Sequence, residues 1–98
     1  MVTTESTTSS TSIVYIGHKP LINYVLAVGK RLGECESCVL IKARGKSISK
    51  AVDVALITVD RSKDEVKVNG VDINTEVLPG GDGNNLNVSS IKISLGRI

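Results

Sequence analysis

Apolar positions along the chain change spacing several times, and each spacing predicts an element. Residues 1–12, MVTTESTTSSTS, carry no period and a single charge, Glu5. A stretch with so little to bury cannot offset the entropy of ordering, so it is expected to be a disordered tail. Ile13-Val14-Tyr15-Ile16 is a continuous β-branched and aromatic run, which predicts a short buried strand. Gly17-His18-Lys19-Pro20 interrupts it. Pro20 suits the first turn of a helix, where its missing N–H would have no partner. That helix is expected over about 20–32, with Ile22, Val25, Leu26 and Gly29 on one face. Leu21, Ala27 and Val28 widen the apolar arc toward a second neighbour, and Gly33 is placed to end the helix.

Val39-Leu40-Ile41 opens a second strand, expected over 39–43. It runs into the basic turn Lys42-Ala43-Arg44-Gly45-Lys46, after which Ser47 or Ser49 can cap a second helix. There Ile48, Ala51, Val52, Ala55, Leu56 and Val59 recur at i, i+3, i+4, i+7, i+8 and i+11, one face of a helix. Lys50, Asp53 and Asp60 lie off that stripe. Two strand-like segments follow. Over 65–75, Val66 and Val68 share one parity and Val71 and Ile73 the other, so a bulge is expected at Asn69-Gly70. Over 88–95, Ile91, Ile93 and Leu95 alternate with polar residues. Between the two, Pro79-Gly80-Gly81-Asp82-Gly83-Asn84-Asn85 is dense in turn residues and predicts a hairpin with a long, mobile tip. The order β-α-β-α-β-β has no internal repeat and no second boundary, so 13–98 is expected to form one α+β domain.

Composition narrows the core. Phe and Trp are absent and Tyr occurs twice, so Val, Ile, Leu and Ala must fill it. Tyr15 is expected inside; Tyr24 is expected at the surface or at a contact between copies. The N-terminal stretch has no apolar signal region, and no apolar run approaches the roughly 20 residues of a membrane span. A soluble, intracellular protein without a membrane partner is expected.

Net charge is only +2, but it is unevenly placed. Residues 17–50 hold seven basic side chains against Glu34 and Glu36, whereas 51–98 holds five against seven acidic ones. Concentrated positive charge is what a polyanion-binding face requires. Lys42 and Arg44 alternate at a strand end, Gly45 permits a tight turn, and Lys46 leads into a helix N-terminus whose free N–H groups favour anions. A β-α-β crossover makes the first two strands parallel, so 17–20 leaves the sheet on the same side and brings Lys19 beside Lys42 and Arg44. Ordinary solvated lysines are the plainer alternative.

Catalysis finds little support. There is one histidine, no carboxylate cluster and no phosphate-binding glycine loop, so no enzyme and no cofactor are expected. His18 beside the basic loop is a phosphate contact or a bystander. Cys35 and Cys38 have C-x₂-C spacing, yet a zinc site needs about four ligands and a redox pair should open a helix rather than a strand. A structural or incidental pair is expected, with no metal; a disulfide or a small redox or metal module are the alternatives.

Ile16-Gly17-His18-Lys19-Pro20, Asn23-Tyr24-Val25-Leu26-Ala27 and the run from Ile41 through Lys42-Ala43-Arg44-Gly45-Lys46-Ser47 to Asp53 resemble the Alba family of archaeal chromatin proteins, which bind DNA and RNA. The resemblance covers about 13–98 and is strongest over 42–53. It implies a two-layer sandwich similar to the C-terminal domain of bacterial translation initiation factor 3, with an extended hairpin arm. It further implies a homodimer, or a heterodimer with a paralogue, that coats and compacts double-stranded DNA with little sequence specificity and also binds RNA. Such a protein would be cytoplasmic and associated with the nucleoid. An RNA-dedicated protein or ribonucleoprotein subunit is the alternative. Lys19, Lys42, Arg44 and Lys46 fall on basic positions of the family. This chain departs from the pattern in three places. His18 stands where the family often has an acetylatable lysine. The arm, 80–90, has no arginine and contains Asp82, so contact there would rest on Asn84, Asn85, Asn87 and the backbone. No aromatic residue occurs in 61–66, where family members carry one for contacts between dimers.

Overall fold

The computed structural model describes residues 11–34 and 38–98. It contains β1 (Thr11–Tyr15), α1 (Leu21–Gly33), β2 (Cys38–Arg44), a 3-10 turn (Gly45–Ser47), α2 (Ile48–Arg61), β3 (Val66–Pro79) and β4 (Asn85–Arg97). The expected α+β order is observed. β1 begins inside the stretch expected to be a tail, because Thr11 and Ser12 pair in register with Cys38 and Val39. Ladder hydrogen bonding needs no apolar side chain, so the hydrophobic pattern carried no sign of those two residues. The remainder of the expected tail, 1–10, and Cys35 lie outside the described residues.

The four strands form one sheet in the order β1-β2-β4-β3. β1 and β2 are parallel, joined across α1, and the other two pairs are antiparallel. Both helices lie on one face. Val39, Ile41 and Ala43 of β2 stand opposite Leu95, Ile93 and Ile91 of β4, and all six are buried. Against them pack Val25, Val28 and Leu32 of α1 and Ala51, Val54 and Ala55 of α2. Burying a side chain such as Ile41 or Leu95 contributes about 1.5–3 kcal/mol. Arg97 donates to the Leu32 carbonyl, tying the last strand to the end of α1.

The helices bury faces rotated from the expected ones. Ile22 and Leu26 of α1 and Val52 and Leu56 of α2 are exposed, while Val28 and Val54 point inward. Apolar residues cover a broad arc of each helix, so spacing alone permits more than one inward face. On α2 the sheet takes the face centred on Ala51 and Ala55, whose small side chains allow close approach. Ser47 is the N-cap residue of α2 without a side-chain cap bond, because the preceding 3-10 turn has the Ile48 N–H donate to the Gly45 carbonyl.

Beyond the last β2–β4 pair, Arg44 opposite Ser90, β3 and β4 continue as a two-stranded arm from Thr75–Ser89 to Pro79–Asn85. A register shift between Val68 and Gly70 supplies the expected bulge. The arm tip is closed rather than open. The Gly80 N–H donates to the Asn84 carbonyl at 2.8 Å, and the Gly83 N–H to the Gly80 carbonyl at 3.3 Å. Only glycine fits at 80, since a Cβ would lie 2.3 Å from the Asn84 oxygen. Among the described residues no helix is long and apolar enough to cross a membrane.

Candidate nucleic-acid interface

Because β1 and β2 are parallel, the loops that follow them leave the same end of the sheet. The Ile16 N–H donates to the Lys42 carbonyl at 2.9 Å, so loop 17–20 starts beside β2. His18 and Lys19 are exposed on that loop, Arg44 is exposed at the end of β2, and Lys46 is exposed in the 3-10 turn. Gly45 takes φ +59°, a left-handed conformation that favours glycine, and lets the chain turn from β2 into α2.

Two residues not expected to matter here hold the loop in place. Lys50, in the first turn of α2, donates through Nζ to the carbonyls of Gly17 and Lys19, each at 2.9 Å. Tyr24 of α1 accepts through Oη from the N–H groups of Gly17 at 2.9 Å and Lys19 at 3.2 Å. The Lys50 ammonium also lies 5.8 Å from the Tyr24 ring centroid, within cation–π range. Loop 17–20 is thus clamped between the two helices through the backbone N–H and carbonyl groups of Gly17 and Lys19, while the Lys19 side chain stays in solvent. The tyrosines exchange their expected places: Tyr24 is buried and Tyr15 exposed. β1 parity turns Val14 inward and therefore Tyr15 outward.

Lys42 differs from its neighbours. It is half-buried on the open, helix-free face of the sheet, opposite Tyr15 on one side and Lys92 on the other. Acidic residues of β3 reach the same face. Arg44 Nη2 lies 3.5 Å from Glu76 Oε1, and Lys92 Nζ lies 3.6 Å from Asp72 Oδ2. These exposed pairs are worth about 0–1 kcal/mol each, so a phosphate can displace them. Lys92, Asp72 and Glu76 were not legible as neighbours of the basic turn, because only the register of β3 on β4 and β4 on β2 brings them there.

Asn84 and Asn85 are exposed at the far end of the arm, apart from these cations. The Asn84 side-chain amide is engaged by Asp82 Oδ2 at 3.3 Å, and the Asn84 N–H donates to Asp82 Oδ1 at 3.0 Å. Chiefly through that backbone N–H, and next through the Asn84 side chain, the Asp82 carboxyl is held below its usual value. The tip therefore presents a negative charge at neutral pH. Cys38 is half-buried, its Sγ 3.2 Å from Ser94 Oγ. Among the described residues no group of three or more His, Cys, Asp or Glu side chains could hold a metal ion.

The chain matches the Alba family over residues 12–75. It is similar to the DNA/RNA-binding protein Alba of Thermoplasma acidophilum, 46% identical over 86 residues that cover 88% of this chain and 96% of that one. The DNA/RNA-binding protein Alba of Methanococcus maripaludis is 45% identical over 85 residues, covering 86% and 96%. Among solved structures, Alba from Thermoplasma volcanium superposes with a TM-score of 0.81 at 47% identity, covering 87% of this chain and 99% of that chain.

Proposed function

The chain belongs to the Alba family, and from that premise we propose that it binds nucleic acid, coating and compacting double-stranded DNA with little sequence specificity and also binding RNA. Residues 13–98 act as one binding domain, and the protein works as a binder rather than an enzyme, in the cytoplasm on the nucleoid. The observation that carries this reading is the clamped basic ledge. Loop 17–20, tied to both helices through Lys50 and Tyr24, and the turn that follows β2 present Lys19, Arg44 and Lys46 at one end of the sheet, with His18 beside them and Lys42 adjoining on the open face. A clamped backbone and exposed cationic side chains suit phosphate contacts, which position a protein on a duplex without reading its bases. Asn84 and Asn85 are assigned a lesser role at the arm tip, where Asp82 opposes a polyanion.

A homodimer is part of the proposal. Val52 and Leu56 of α2 and Val68, Val71 and Ile73 of β3 are exposed on the helix side of the sheet. β3 extends beyond the cover the helices provide, leaving Ile73 80% exposed. An apolar band of this kind fits a second copy related by a two-fold axis, which would double the ledge.

Replacing Lys42 and Arg44 together by alanine is expected to weaken binding by a similar factor on unrelated duplex sequences. The slope of log affinity against log salt should flatten by about 0.9 for each phosphate that is no longer neutralised. A salt-dependent titration that finds affinity and slope unchanged would overturn the ledge as the binding surface.

A further inference from the structure

The helix-free face of the sheet carries a groove of about 560 Å³ that the core does not use. Tyr15 stands at its β1 side, 65% exposed. In register, Tyr15 lies opposite Lys42, Lys42 opposite Lys92, and Lys92 opposite Asp72, so a single row crosses all four strands. Arg44, with its partner Glu76, lines the groove one step along. Among the described residues, Lys42 has no carboxylate within ion-pairing distance, unlike Arg44 and Lys92.

An aromatic ring laid open on a flat sheet offers a stacking surface for any nucleobase, and a cation in the next register position is placed for the phosphate that accompanies it. A duplex cannot use this arrangement, because its bases are already stacked on one another. Unpaired RNA can, since its bases splay outward. The carboxylates favour RNA further. Asp72 and Glu76 repel phosphate, but a carboxylate accepts a hydrogen bond from a ribose 2′-hydroxyl, which deoxyribose lacks.

We propose that the open sheet face binds single-stranded RNA, with an unpaired base stacked on Tyr15 and its phosphate held by Lys42. The face is continuous with the basic ledge through Lys42 and Arg44, so a strand emerging from a helix on the ledge can cross onto it. The proposal rests on the nucleic-acid-binding reading above, but it concerns a residue that the duplex reading does not use.

The test is a fluorescence-anisotropy titration of Tyr15→Leu and Tyr15→Trp variants against a short unstructured RNA, single-stranded DNA of the same sequence, and duplex DNA, at equal salt. Tyr15→Leu should weaken RNA binding about tenfold, the loss of one stacked base, and leave duplex binding unchanged. Tyr15→Trp should retain RNA affinity, and its fluorescence, the only tryptophan emission in the chain, should be quenched by the RNA. Unchanged RNA affinity in Tyr15→Leu overturns the site. So does an equal loss on duplex DNA, and an equal loss on single-stranded DNA overturns the assignment to RNA. Failure of the Lys42 and Arg44 double variant to affect duplex binding would sink the ledge alone, so the two readings fail separately.

Discussion

Tyr24 shapes the basic ledge without offering it a charge. Its hydroxyl oxygen is the acceptor for two N–H groups of loop 17–20, those of Gly17 and Lys19. Tyr24→Phe leaves both donors part-buried and unpaired, which should lower stability by about 1–3 kcal/mol. Urea denaturation should show a lower midpoint at an unchanged m-value, and amide exchange at Gly17 and Lys19 should quicken. An unchanged midpoint would mean that water replaces the phenol without cost. The tyrosine positions also show where sequence alone falls short. Ile13-Val14-Tyr15-Ile16 is apolar throughout, so the run conceals which parity faces the core, and Tyr15 could be read as inside. The basic residues were legible because charge needs no partner to be recognised. Lys50 was not, because its role depends on carbonyls that only the fold brings within reach.

The hairpin was legible as an element, bulge included, because one extra residue in a strand reverses the alternation of everything after it, as happens within 65–75. Its tip was not. Density of glycine and asparagine predicts a turn but not the hydrogen bonds that close it. Asp82 is the pivotal side chain there, bonding Asn84 through both backbone and amide. Its carboxyl is depressed in the folded chain, so its contribution to closing the tip is complete above the usual carboxylate value and is lost as pH falls through the depressed one. An NMR titration of the Asn84 amide should therefore show its midpoint below that of an ordinary aspartate. Asp82→Asn keeps an acceptor for the Asn84 N–H and removes the charge. If the arm lies along a polyanion, this variant should bind duplex DNA more tightly at low salt, the gain fading as salt rises. No gain at low salt would indicate that the tip stays clear of the phosphates. The helix faces failed at this same scale: apolar residues that looked destined for one core are divided between the sheet and the outer surface.

That division acquires a meaning only for the molecule as a whole. Its principal extents are 45 × 38 × 21 Å, thin as one sheet and one layer of helices must be, and long because the arm continues past β2. The layer of helices covers Val66 at the start of β3 but leaves Val71 and Ile73, farther along the strand, uncovered. Leu56→Asp or Ile73→Glu would place a charge in the middle of that band. Sedimentation equilibrium should then find a monomer where the unaltered chain sedimented as a dimer, with circular dichroism unchanged. A monomeric unaltered chain would refute the dimer. No single-chain pattern could have fixed this, since a residue awaiting a partner has the same spacing as one already buried.

The pairing of Arg44 with Glu76 and of Lys92 with Asp72 gives the proposed binding face counterions of its own, attached to the chain and unable to diffuse away. When a phosphate takes either cation, the stranded carboxylate draws a mobile cation back from solution. Fewer ions are then set free in total than the number of contacts formed. Association loses less of its strength as salt rises than a count of cations would indicate, so the same carboxylates that dilute the face in dilute buffer preserve its grip in concentrated electrolyte.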